Sequence, residues 1–346
     1  MPGSGQENRK WEISRHPRVV CMNAMKVFAL NATGSFGGQV AEALGIKLAP
    51  HEERDFEDGE HKARPLVSVR GQDVYVLQSL HGGPEQSAND KLCRLLFFAG
   101  ALRESGAARI TALVPYLAYA RKDRQTKARD PVTSKYMALV LESVGIDRIV
   151  TLEVHNIVAF QNAFRIQALH LDTRSLFAAH VQDTMGQAHI VVVSPDPGGV
   201  KRSQLFRETL ENRLRRDIGS AYLAKRRSAG IVSGTHLAGE VSGATVLILD
   251  DLISTGGTMI RAAEICLEHG AASVVAYAAH GLFVEDASTA MLSSSLGRVV
   301  ITDTVPPFRL DAAARERVEV LSAAPLFAKA ISRLHDDGSM AELTEG

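Results

Sequence analysis

The sequence predicts an α/β protein with mainly parallel sheets, built as two related halves. Short apolar strands alternate with helical patterns from Val27 onward, and one strand–helix–strand segment recurs later in the chain. A 346-residue chain with 45% apolar residues is also long and apolar enough for about two filled cores.

The strands expected in order are VFAL, VYVLQS, ITALVPY, RIVTLEV, HIVVVSPD, TVLILDD, SVVAYAAH and RVVITDT. Their near-continuous aliphatic runs fit strands covered on both faces. The recurrence pairs GQDVYVLQSLHG and ESGAARITALVPY (71–116) with GATVLILDDLIS and EHGAASVVAYAAH (243–280). Gly71 to Gly106 spans 35 residues, and Gly243 to Gly270 spans 27. Residues 1–25 are polar and aperiodic apart from a lone Trp11 and read as an extension. Residues 26–174 and 175–327 read as the two domains. PLFAKAISRLHDDG reads as a helix that packs back, with the tail 328–346 expected to rejoin the first domain.

Lys plus Arg equals Asp plus Glu, at 39 each, so no global field favours nucleic acid or a membrane surface. Three cysteines without metal-ligand spacing fit a reducing compartment. No apolar run reaches the roughly 18 residues of a spanning helix, and MPGSGQENRK lacks a signal-peptide core. The expectation is a cytoplasmic protein with neither nucleic-acid nor membrane partners.

Local anion binding is a different matter. In VLILDDLISTGGTMIRAAEIC (246–266) an apolar strand runs into two acids, a small-residue turn and a helix that Gly270 stops. Ser254, Thr255, Gly256, Gly257 and Thr258 would set backbone N–H groups and hydroxyls at the positive end of that helix, an anion cradle. Asp250 and Asp251 accept hydrogen bonds and so suit sugar hydroxyls or a metal-bound water. A helix start with two solvated capping acids would read the same way.

Four other stretches have chemical content. SPDPGGVKRSQLF places Asp196 at a strand end beside glycines, with Lys201 and Arg202 following. VPYLAYARKDRQTKARDP concentrates cations after a strand, enough to fork onto polyphosphate or simply to make a charged loop. His155 in LEVHN sits at another strand end, as a metal ligand or a structural histidine. YLAKRRSAGIVSGTHLAGEVSG begins with Lys225, Arg226 and Arg227 and is rich in small residues, as in a basic flap closing over a site or a disordered basic loop. FEDGEHKARP is a polar turn in isolation. No G-x-x-x-x-G-K-[ST] sequence is present.

Taken together and in order, FEDGE, VRGQDVYVLQS, ND, RITALVPYLAYARKDR, LEVHN, SPDPGGVKR, AKRR, LILDDLISTGGT and AAHGLF with VVITDTVP closely resemble the ribose-phosphate pyrophosphokinase family. The match covers residues 26 to about 335. It implies two tandem phosphoribosyltransferase-type (Rossmann-like) domains. The reaction implied transfers the diphosphoryl group of Mg-ATP to the C1 hydroxyl of ribose 5-phosphate.

By this resemblance, Ser254 to Thr258 hold the 5-phosphate, and Asp250 and Asp251 face the ribose hydroxyls and their metal. Arg121, Lys122 and Asp123 hold ATP, while Phe56, Asp58 and Glu60 reach the adenine from a neighbouring subunit. His155 and Asp196 are the expected Mg2+ ligands, and Lys225 and Arg227 the flap cations acting on the transition state. Site sharing implies a dimer-based homo-oligomer, a hexamer in the family. Ser68 and Arg70 match positions used for regulatory phosphate or ADP in some members, whereas Thr126, Ala128 and SMAELTEG depart from that site.

The usual pattern has Gln at Lys122, Asp at Glu153 and Asp at Ser254, and its HAxQIQGFF is here HNIVAFQNAF. Two other readings stay open: a phosphoribosyltransferase, which needs only one such domain, and a non-catalytic synthetase-associated subunit, whose site loops are altered.

Overall fold

The computed structural model describes residues 24–228 and 231–344, with the side chains of 225–235 and 344 excepted. The extension with Trp11 and the side chains of Lys225, Arg226 and Arg227 lie outside the described residues.

Five strands form the first sheet: β1 (Met25–Ala29), β4 (Asp73–Leu77), β5 (Arg109–Val114), β6 (Arg148–Leu152) and β7 (Gln167–Leu171), in that spatial order and all parallel. A separate antiparallel hairpin, β2 (His51–Asp55) and β3 (His61–Pro65), interrupts the order in sequence. Alternation along the strands splits the sheet's two faces. Val74, Val76, Ile110 and Ala112 pack under α2 (Ala88–Glu104), α3 (Thr133–Ser143) and α4 (Ile157–Ala163). Tyr75, Leu77, Leu113 and Val150 face the other way, onto α1 (Gly34–Leu44) and the late helix α10 (Ala324–His335).

The second sheet runs β10 (Ile231–Ala238), β9 (Gly219–Ser228), β8 (Ile190–Ser194), β11 (Thr245–Ile253), β12 (Ser273–Gly281), β13 (Arg298–Thr302) and β14 (Val318–Leu321). Only the β9–β10 pair is antiparallel. Helices α5 (Arg174–Met185) and α6 (Val200–Leu214) cover the face of Val192, Leu247 and Tyr277. Helix α7 (Gly257–Glu268), with the short α8 (Ala287–Met291) and α9 (Ala312–Glu316), covers the face of Val193, Ile248 and Ala276.

The sequence echo has a backbone counterpart. Gly71 and Gly243 sit at φ +69° and +66°, and Gly106 and Gly270 at +86° and +87°. Gly71 N donates to Gly106 O at 2.8 Å, and Gly243 N donates to Gly270 O at the same distance. Each half thus closes its strand–helix–strand unit with the same left-handed pair, a conformation that favours glycine.

Three expectations change. The segment 222–243, rich in small residues and read as a flap or a loop, begins in β9, passes through β10 and runs on beyond it, and Leu223, Leu237 and Val241 are buried. FEDGE is the tip of the β2–β3 hairpin, whose charged strands hid a ladder. The domain boundary expected at residue 327 falls inside α10, and Ala324, Phe327, Ile331 and Leu334 all pack against the first sheet.

Candidate active site

The carboxyl ends of the two sheets meet, and the seam is polar. His280, at the end of β12, is buried. Its Nε2 donates to Leu152 O and Glu153 O, both at 3.0 Å, and its Nδ1 accepts from the Thr304 hydroxyl at 2.8 Å. Burial lowers the His280 pKa, so the ring works as a neutral bridge. Ser79 donates to Thr304 O at 2.7 Å, and Arg309 spans Leu282 O at 2.8 Å and Gly82 O at 2.6 Å.

Along this seam lies a chain of charges. His155, just beyond β6, donates from Nδ1 to Asp251 Oδ2 at 3.1 Å. Asp251 is buried, and Arg202 Nη1 lies 3.4 Å from its other oxygen and 3.3 Å from Asp250 Oδ1. Arg202 Nε faces Glu153 Oε2 at 3.6 Å. Burial, and then the neighbouring Asp251, push the Asp250 carboxyl up. Asp251 is held low against its own burial by the bond from His155 and the Arg202 charge. One guanidinium therefore faces three acidic side chains, leaving an acid-rich surface suited to a cation or to hydroxyl donors.

Asp250 and Asp251 lie within β11 toward its carboxyl end, and the strand continues two residues further, to Ile253. The turn after it leads directly into α7. Gly256 has φ +86°, and a Cβ there would come within 2.8 Å of both Ala290 Cβ and Met291 Cε. Among the described residues no side chain caps α7, whose first-turn N–H groups have no intrahelical partner. Val284 N donates to Ser254 O at 3.0 Å, fixing the turn from behind. Thr255 and Thr258 are exposed.

Asp196 is exposed just ahead of α6, and its Oδ1 accepts from Gly199 N at 3.0 Å. Among the described residues no group of three or more His, Cys, Asp and Glu forms a metal cage. Mg2+ in phosphoryl-transfer sites is held by one or two protein ligands together with phosphate oxygens. His155 and Asp196 have the nitrogen and oxygen chemistry that could serve as such ligands.

The cationic loop is partly self-occupied. Lys122 Nζ pairs with Asp130 Oδ2 at 2.5 Å and reaches Thr126 Oγ1 at 3.0 Å, while Arg121 is exposed. Asp123 accepts from Asn156 Nδ2 at 2.6 Å. Phe56, Asp58 and Glu60 line a concavity of about 500 Å3 bounded by residues of the hairpin tip, and the Arg121–Asp123 loop is not part of its lining. Ser68 and Arg70 are exposed before β4, at the end of the strand away from the seam.

Sequence reasoning missed Arg202 as the hub, Glu153 as a strained structural partner and Asn156 as a bridge. Glu153 holds φ +38°, with its N–H bonded to Leu171 O and its Oε1 to Thr173 N and Oγ1. A non-glycine residue in that region signals a position fixed by its surroundings. The available signal was a basic pair in the first turn of a helix facing strand ends.

No helix among the described residues is long and apolar enough to cross a membrane. Residues 25–145 match the family described as the N-terminal domain of ribose phosphate pyrophosphokinase, and residues 231–345 match the phosphoribosyl synthetase-associated domain. A ribose-phosphate pyrophosphokinase of Caldanaerobacter subterraneus subsp. tengcongensis is 38% identical over 322 residues, covering 93% of this chain and 98% of the relative. Another, from Shewanella oneidensis, is 37% identical over 331 residues, covering 93% and 99%. The crystal structure of phosphoribosylpyrophosphate synthetase from Mycobacterium smegmatis superposes with a TM-score of 0.81 at 31% identity, covering 91% of this chain and 100% of that one.

Proposed function

The chain belongs to the ribose-phosphate pyrophosphokinase family and is a diphosphokinase that forms 5-phosphoribosyl 1-pyrophosphate; we propose that it does so from Mg-ATP and ribose 5-phosphate at the seam between its two sheets. The C1 hydroxyl attacks the β-phosphorus of ATP, the bond from that phosphorus to the α–β bridging oxygen breaks, and AMP leaves. The single observation that carries the placement is the hydrogen bond from His155 to Asp251, which unites the two strand ends that the sequence marked separately.

In this reading the turn Ser254, Thr255, Gly256, Gly257 and Thr258 binds the 5-phosphate through the N-terminus of α7. Asp250 and Asp251 orient the ribose hydroxyls. Arg121 and Asp123 hold the polyphosphate side of ATP, with Lys122 bracing the loop through Asp130. His155 and Asp196 are the side chains that hold Mg2+, which when bound shares the charge on the phosphate oxygens. Phe56, Asp58 and Glu60 reach the adenine of a neighbouring copy, making the working form a cytoplasmic homo-oligomer. Lys225 and Arg227 neutralise charge that develops in the transition state, so the protein's contribution is alignment and electrostatics rather than a strong base. Ser68 and Arg70 form a regulatory surface at the opposite end of the first sheet.

The test is formation of AMP and 5-phosphoribosyl 1-pyrophosphate by the purified protein with ribose 5-phosphate, Mg2+ and ATP, repeated with Lys225→Ala. Product that requires both substrates, with turnover in the variant falling far more than ATP affinity, is the expected result. No product across several nucleotide donors, with and without added phosphate, would overturn it in favour of a non-catalytic associated subunit.

A further inference from the structure

We propose that Asn156 is a positioning residue that locks the Asp123 carboxylate to the backbone carrying His155, so that the ATP loop and the His155–Asp251 pair hold one geometry. This rests on the reading of Arg121 to Asp123 as the ATP loop.

Asn156 is the N-cap of α4. Its Oδ1 accepts from Val158 N at 3.1 Å and Ala159 N at 3.2 Å. Those two bonds fix which end of the amide faces the helix, because the NH2 group cannot accept from backbone N–H. The NH2 end is thereby turned outward, where it donates to Asp123 Oδ2 at 2.6 Å. A flipped amide would set oxygen against carboxylate and NH2 against two donors, losing all three bonds. The bond to Asp123 is charge-assisted, the stronger class of hydrogen bond.

The surroundings are arranged to keep this bridge. Leu117, Ala118 and Ala120 at the start of the loop line one small apolar cavity with Ala159, Phe160 and Phe164, which lie along and just beyond α4, so loop and helix are packed as well as bonded. His155 precedes Asn156 directly and is bonded to Asp251 of the second sheet. One residue therefore serves as joint between the loop, α4 and the inter-sheet pair.

The test separates the two roles of the side chain. Asn156→Ser keeps a capping oxygen and removes the amide donor; Asn156→Asp keeps the cap and sets a second carboxylate against Asp123; Asn156→Ala removes both. Urea unfolding, kcat, and KM for ATP and for ribose 5-phosphate are measured for each, alongside Asp123→Ala. The expected result is an unfolding midpoint kept in the Ser and Asp variants, with KM for ATP raised about 5- to 10-fold in Ser and more than about 10-fold in Asp. KM for ribose 5-phosphate stays within about twofold. If Asp123→Ala raises KM for ATP while Asn156→Asp does not, the bridge has no positioning role and the proposal fails. If Asp123→Ala itself leaves KM for ATP unchanged, the ATP-loop reading beneath it fails instead.

Discussion

His155 Nδ1 donates to Asp251 Oδ2 at 3.1 Å, and this one bond ties the end of β6 in the first sheet to β11 in the second. The pair is asymmetric: the carboxylate side chain is 5% exposed and the imidazole 48%. With Nδ1 committed to the buried acid, Nε2 is the nitrogen left for a ligand, as in sites where a carboxylate orients a histidine. His155→Ala is therefore expected to lower kcat about 100-fold while leaving the unfolding midpoint near that of the parent, because little packing is lost. Steady-state kinetics with urea titration checks it; an unchanged kcat would remove His155 from the site.

Two adjacent glycines of the turn before α7 should respond in opposite ways. At Gly256 a methyl group meets Ala290 Cβ and Met291 Cε at 2.8 Å on a backbone of φ +86°, whereas at Gly257 the nearest atom is Thr255 Oγ1 at 3.8 Å. Gly256→Ala adds left-handed strain and overpacking and should cost about 2–4 kcal/mol, with KM for ribose 5-phosphate raised. Gly257→Ala places a helix-favouring residue at the first position of α7 and should leave stability equal or slightly higher. Equal losses in both would mean that the turn is not shaped by α8.

These residues also show how much the chain disclosed in advance. The strand beginning at Val246 and the turn Ser254 to Thr258 could be read because an aliphatic run and a glycine pair are local signals. The hub Arg202 could not, since its three carboxylates come from positions 153, 250 and 251, and a pairing across two sheets leaves no mark in local spacing. The β2–β3 hairpin was illegible for a related reason: HEERD and HKARP pair with Arg64–Glu52 across the ladder while Arg94 of α2 reaches Asp55, so their polarity resembles a loop. The segment 222–243 misled because its small residues dominate composition, while burial rests on a few side chains such as Leu223 and Leu237.

Stability of the first sheet should depend on pH through Asp73. This buried carboxylate accepts from Arg109 Nε at 2.8 Å and Nη2 at 2.5 Å, from Tyr75 at 3.0 Å and from His335 Nδ1 at 3.0 Å. Burial pushes its pKa up, but Arg109 and then His335 outweigh that and hold it below the ordinary aspartate range. A depressed folded pKa contributes stability in full above the unfolded value of about 3.9, and loses it as pH falls through the folded value. Asp73→Asn should thus be less stable by about 3 kcal/mol at pH 7, with the gap to the parent closing below about pH 4. Urea midpoints from pH 7 down to pH 2.5 give the comparison; a gap independent of pH would refute the assignment.

The last helix provides the sharpest test of how the halves share the chain. Phe327 is fully buried against the first sheet, with its ring edge-on to Phe36 at 5.5 Å between centroids, although the residues immediately before α10 belong to the second sheet. One face of the first sheet is closed only when the chain returns, so β1, β4 and α1 depend on residues some 250–300 positions away. Phe327→Ala should cost about 3–5 kcal/mol. Hydrogen exchange should locate the loss: protection is expected to fall in β1, β4 and α1 while β11, β12 and α7 keep theirs, because those pack in a separate core. Uniform loss across both sheets would mean instead that the polar seam of His280, Ser79 and Arg309 couples the halves into one cooperative unit, so that α10 supports the whole molecule rather than the half it covers.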